Sequence, residues 1–132
     1  SLRAAASNGV PMSAPFLAFD HVQLAMPPGR EDDAREFYVA VCGMTELPKP
    51  AELASRGGAW FTSGGVQLHL GVEPEFRASA KAHPALRCAD LDELLRRLHA
   101  AGHDAREDHD VPGTRRAFVA DPFGNRIELI AG

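Results

Sequence analysis

Gly124-Asn125-Arg126-Ile127-Glu128-Leu129, close to the end of the chain, has a counterpart in Gly65-Val66-Gln67-Leu68-His69-Leu70, 59 residues earlier. Gly43 and Gly102 are separated by the same interval, and each stands where an amphipathic helical stretch stops. His21-Val22-Gln23-Leu24 lies over His83-Pro84-Ala85-Leu86 at an interval of 62. Working outward, residues 16–26 read as a strand that Pro27-Pro28-Gly29 ends. Asp32 or Asp33 can cap a helix through Cys42 with Ala34, Phe37, Tyr38 and Val41 as its buried stripe. An extended piece at residues 45–47 and a polar loop follow, then a hairpin of residues 59–62 and 66–72 around Ser63-Gly64-Gly65. The second half repeats the order. Residues 83–88 form a strand, Asp90-Leu91-Asp92-Glu93 a capping box, and Leu91, Leu94, Leu95 and Leu98 one helix stripe. A weak strand at residues 105–107 precedes residues 116–120, which turn through Asp121-Pro122-Phe123-Gly124-Asn125 into residues 126–130. The pattern predicts an α+β fold of two tandem βαβββ modules, about 16–72 and 83–131, in a single domain spanning 16–131.

At 132 residues the chain suits one core rather than two. Lys and Arg total 14 against 18 Asp and Glu, a formal charge of -4, which argues against a nucleic-acid partner. No apolar stretch approaches a spanning helix, so no membrane partner is expected. Residues 1–15 are rich in Ala, Ser, Gly and Pro without a signal-peptide core and read as a disordered or cloning-derived tail. Cys42 and Cys88 are too few for a disulfide framework and lack a C-x-x-C spacing, so a reducing, cytoplasmic setting is expected.

The repeat pairs His21 with His83 and His69 with Glu128, four residue types that bind divalent metals. Only 6 of the 132 residues are His, so two such pairings by chance are improbable. Strand alternation puts His21 with Gln23, His69 with Gln67, His83 with Ala85 and Arg87, and Glu128 with Arg126. The opposite faces are apolar and call for helices. The result is a curved, cup-like mixed sheet with helices on its outer face and a polar, ligand-facing inner side. His99, His103 and His109 fall outside the repeat positions and read as structural.

Two such modules, a His opening each, and an Asp-Pro-Phe-Gly-Asn-Arg-Ile-Glu-Leu ending resemble the vicinal oxygen chelate superfamily. That group includes glyoxalase I, fosfomycin-resistance thiol transferases, methylmalonyl-CoA epimerase, extradiol dioxygenases and bleomycin-resistance proteins. The resemblance covers residues 16–130. It implies that His21, His83 and Glu128 are metal ligands. His69 falls where glyoxalase I has Glu and the epimerases Gln. Its pairing with Glu128 suggests a fourth ligand, whereas the thiol transferases leave that position to a neighbouring or substrate-contacting group.

Imidazole and carboxylate donors suit Zn, Ni, Co, Fe(II) or Mn better than Ca or Mg. The resemblance implies a Lewis-acid enzyme with lyase, isomerase or thiol-transferase chemistry, in which Glu128 is also the catalytic proton shuttle. Gln23, Gln67, Arg87 and Arg126 are the expected contacts to a small substrate, the arginines favouring an anionic one. A metal-free drug-binding protein and an Fe(II) dioxygenase are the alternatives. Relatives commonly form homodimers, some sharing each site between chains, so a homodimer is expected.

Overall fold

Alternating apolar residues dictate the strands of the computed structural model, which describes residues 13–132. The tail expected at residues 1–15 lies outside the described residues except for its last three. Module one comprises β1 (Val22–Met26), α1 (Glu31–Arg35), β2 (Thr45–Leu47), a one-turn α2 (Ala51–Ala54), β3 (Ala59–Ser63) and β4 (Val66–Val72). Module two comprises β5 (Ala85–Cys88), α3 (Leu91–Ala100), β6 (Arg106–Asp108), β7 (Arg116–Ala120) and β8 (Arg126–Ala131). Each module forms a four-stranded mixed sheet, ordered β1-β4-β3-β2 and β5-β8-β7-β6. In each, the first strand runs parallel to the last and the other pairs are antiparallel. The tandem βαβββ arrangement expected from the sequence is present.

The register makes the repeat quantitative. Gln23 lies opposite His69 in module one, and Ala85 opposite Glu128 in module two, at the same intervals of 62 and 59 that align the sequence. The middle strands differ by one residue. Trp60 faces His69 and Phe118 faces Glu128, an interval of 58. The extra residue lies in the second hairpin, where Asp121 closes back on Asn125 around Pro122-Phe123-Gly124 rather than around Gly64-Gly65.

Helix α1 begins at Glu31, and neither Asp32 nor Asp33 caps it. Those carboxylates instead accept from the Arg35 and Arg30 side chains. The helix continues as a π-helical stretch, Glu36–Val41, in which the Cys42 amide reaches back five residues to Phe37. The wider turn buries Phe37, Tyr38 and Val41 together. At α3 the Asp90 carboxylate accepts from the Glu93 amide at 3.0 Å, as expected. The reciprocal half of the capping box is not made, because Glu93 pairs with Arg96 and Arg97. The helix ends in a Schellman motif at Gly102, with His103 donating to Leu98 and Gly102 to His99.

One apolar cluster spans both modules, from Met26, Phe37, Phe61 and Leu68 to Leu95, Leu98, Ile127 and Leu129. Polar staples register the modules. Tyr38 donates from its hydroxyl to buried Asp121 at 2.6 Å, and the Asn125 side-chain amide donates to the Ala25 carbonyl at 2.8 Å. Burial together with the Asp121 carboxylate raises the Tyr38 phenol well above its ordinary range. The closing Asp-Pro-Phe-Gly-Asn turn is thus architecture that positions the site.

Candidate metal centre

His21 immediately precedes β1, and His69 is central in β4 beside it. Alternation puts His69 on the polar side, yet it is only 5% exposed. Aromatic rings close over it. The Trp60 ring stacks on one face of the imidazole at 4.2 Å and 8°, and the His21 ring on the other at 4.1 Å and 13°. Gln67 Oε1 lies 3.1 Å from His69 Nε2, so that nitrogen carries the proton. Burial and the neighbouring His21 imidazole push the His69 pKa below its ordinary value, keeping the ring neutral.

The second sheet builds a matching half. Glu128, 7% exposed on β8, receives His83 Nε2 at 2.9 Å and Arg116 Nη1 at 3.2 Å. Burial alone would raise its carboxyl, but the His83 and Arg116 contacts outweigh it and hold the group below the usual carboxylate range. Arg116 is fixed in turn by Asp108 across the β6–β7 pair. Phe118 meets the His83 ring edge-on at 5.3 Å, and the Arg126 guanidinium lies over the Phe118 ring at 4.1 Å.

The Nδ1 hydrogen bonds of the two module-opening histidines suit metal binding. Nδ1 of His21 donates to the Asp20 carboxylate at 2.9 Å, and Nδ1 of His83 donates to the Lys81 carbonyl at 2.8 Å. A neutral imidazole has one donor, so His21 Nε2 is left with a free lone pair, the form in which metal-binding histidines are oriented, while His83 Nε2 donates to Glu128. His83 Nε2 faces a carboxylate oxygen at 2.9 Å. At this separation a proton lies between the two atoms, in the place that a shared cation would take. Two ligands of one Zn-sized ion, each about 2.1 Å from it and roughly at right angles, are ~3 Å apart. The donor set therefore fits a divalent transition metal.

The four donors assigned from the sequence nevertheless fall into two pairs. Among the described residues, no three His, Cys, Asp or Glu side chains come close enough to hold one ion. His21 and His83 both line a cavity of about 980 Å³ between the edges of β1 and β5, while His69 and Glu128 do not reach it. Gln23, Gln67 and Arg126 line the same cavity. The Gln23 amide occupies space that a Cβ at Gly71 would enter, 2.5 Å away. Arg87 is placed elsewhere: it is exposed and borders a smaller cavity of about 300 Å³ with Cys42, Cys88 and the α3 side chains. Strand parity gives the side of a residue but not its distance along the strand. Burial and the neighbouring Cys88 push the Cys42 thiol up to about 12, so it is inert at neutral pH. His99 donates to the Ala105 carbonyl and His103 packs on Phe37, both away from the cavity. Sequence reasoning missed Asp20, Trp60, Arg116 and Phe118. The aromatic pair was reachable only by shifting the repeat interval to 58 for the middle strands.

A family model described as the Glyoxalase/Bleomycin resistance protein/Dioxygenase superfamily matches residues 18–129. The chain belongs to that superfamily. Among solved structures, one from Bacillus anthracis assigned to the glyoxalase family is 44% identical, with a TM-score of 0.85 over 89% of this chain and 96% of that one. The fosfomycin resistance protein FosX of Listeria monocytogenes shares the fold at 18% identity and a TM-score of 0.70, covering 89% and 94%. TnmS3, an antibiotic binding protein from Streptomyces sp. CB03234, is 25% identical with a TM-score of 0.63, covering 88% and 98%. No curated protein matches the chain. The superfamily thus holds both enzymes and binding proteins. No helix among the described residues of this member is long and apolar enough to cross a membrane.

Proposed function

We propose that the protein is a metal-dependent enzyme of the vicinal oxygen chelate type, acting on a small anionic substrate with two adjacent oxygen donors. His21, His83 and Glu128 hold the ion, which is Zn, Ni, Co, Fe(II) or Mn. The observation that carries this reading is the orientation of both module-opening imidazoles through Nδ1, with His83 Nε2 2.9 Å from the buried Glu128 carboxylate. Because a single chain keeps the donors in two pairs, the working site joins His21 of one copy to His83 and Glu128 of a second in a two-fold homodimer. When bound, the metal supplies a Lewis acid that polarises substrate oxygens. Glu128 is the buried carboxylate beside these donors and takes the part of proton acceptor and donor. Gln23 and Gln67 offer amide contacts from the cavity wall, and Arg126 offers a cation whose position Phe118 fixes. The free thiols of Cys42 and Cys88 fit a reducing, cytoplasmic setting.

A metal-free binding protein needs neither oriented imidazoles nor a buried carboxylate, so the donor chemistry favours the enzyme. Thermal shift separates the two. Oxalate-, phosphonate- and 2-oxoacid-like compounds should raise the melting temperature of the metal-loaded protein more than neutral isosteres do. A chelator should abolish that gain. Arg126→Met should erase the preference for anions while the metal stays bound. Equal stabilisation with and without metal would instead support the binding protein.

A further inference from the structure

The structure assigns His69 to a role other than ligation: it is a ring clamp, held between Trp60 and His21, that fixes the plane of the His21 imidazole. The inference deepens the metal reading of His21 and rests on it.

The geometry separates clamp from ligand. An imidazole binds a metal through a lone pair lying in the ring plane, about 2.0–2.1 Å from nitrogen. The His21 and His69 rings are stacked at 4.1 Å and only 13° from parallel. A point close to one ring plane is then far from the other, so one ion cannot satisfy both rings while the stack persists. His69 Nε2 is moreover engaged with Gln67 Oε1 at 3.1 Å, a bond that sets the rotation of the ring.

The same contacts make His69 an effective clamp. Trp60 lies directly across the β3–β4 pair from His69, and its indole is 8° from the imidazole plane, giving three stacked rings in a row. His69 is 5% exposed and cannot swing into solvent. His21 sits just outside β1, where no strand pairing holds its backbone. Its ring is therefore oriented by two contacts, Asp20 on the Nδ1 edge and His69 on the face. Module two uses a related device, since Phe118, opposite Glu128 in the register, supports the His83 ring edge-on. Each module thus backs its opening histidine with an aromatic side chain from its third strand, and module one inserts His69 between the two.

Zn(II) and Ni(II) affinities by chelator competition, with the near-ultraviolet circular dichroism of Trp60, test the assignment. Trp60 is the single tryptophan, so its band reports the stack without metal. His69→Phe keeps a flat ring and removes every donor atom. It should bind within about threefold of wild type, whereas His69→Ala should weaken binding by about 10–100-fold, as loss of an orienting partner does. His21→Phe should lose more than either. Trp60→Leu touches no donor and should weaken binding in the direction of His69→Ala, which covers the case of a His69 variant that does not fold. The indole band should survive in His69→Phe and collapse in His69→Ala. A loss in His69→Phe equal to that in His21→Phe would make His69 a ligand and overturn the clamp. If wild type takes up neither metal, the metal reading fails by itself. The clamp is then judged on the indole band, and an unchanged band in His69→Ala overturns it.

Discussion

A heterodimer of a His21→Ala chain and a Glu128→Gln chain should bind about half the metal of wild type, although each homodimeric variant binds little or none. If the site is shared, one cup of the heterodimer takes its His21 from the Glu128→Gln chain and its His83 and Glu128 from the His21→Ala chain, so it is complete. The other cup carries both defects. If each site lay within one chain, every chain would lack one donor and pairing them would restore nothing. Two affinity tags isolate the heterodimer, and elemental analysis after loading with Zn reads the result. The prediction follows from the separation of the four donors into His21 with His69 and His83 with Glu128. Metal content no higher than in the parent homodimers would place the site inside one chain.

Asp121→Ala should destabilise the protein by at least ~3 kcal/mol, a large share of the stability of a domain this size. Asp121 is 4% exposed and accepts four hydrogen bonds: the Tyr38 hydroxyl at 2.6 Å, the Phe123 amide at 2.9 Å, and the Asn125 amide and side chain at 2.8 and 2.9 Å. Alanine removes the acceptor that these buried donors share. The loss also loosens Asn125, whose side chain ties the second module to the Ala25 carbonyl of β1. Urea denaturation measures the effect, with Asp121→Asn as a control that keeps the shape and part of the hydrogen bonding. A change below about 1 kcal/mol for Asp121→Ala would show that the turn does not staple the modules.

The strand order and the β1–β4 and β5–β8 registers were legible because the intervals of 62 and 59 between sequence matches are the intervals between hydrogen-bonded partners. Strand alternation set Gln23, Gln67 and Arg126 toward the cavity for the same reason. Other features depend on contacts that periodicity does not encode. The extra residue in the second hairpin shifts the middle strands and hides the correspondence of Trp60 with Phe118. Arg116 reaches Glu128 from a neighbouring strand, so no spacing within β8 announces it. Helix α1 widens into π-helical turns to seat Phe37 and Tyr38 in the core, a tertiary demand that its apolar stripe does not show. Arg87 shares the face of His83, yet it stands beside the smaller cavity. In the proposed shared site the two donor pairs meet across a second chain, which a single sequence does not pattern.

The central claim is that His21, His83 and Glu128 hold a divalent transition metal, and elemental analysis of protein purified without chelators tests it most directly. The account predicts about one ion per chain in the wild type and near-complete loss in both His83→Ala and Glu128→Gln, each still folded by circular dichroism. Wild-type protein that takes up no Zn, Ni, Co, Fe(II) or Mn on loading, or full occupancy in both variants, would contradict it.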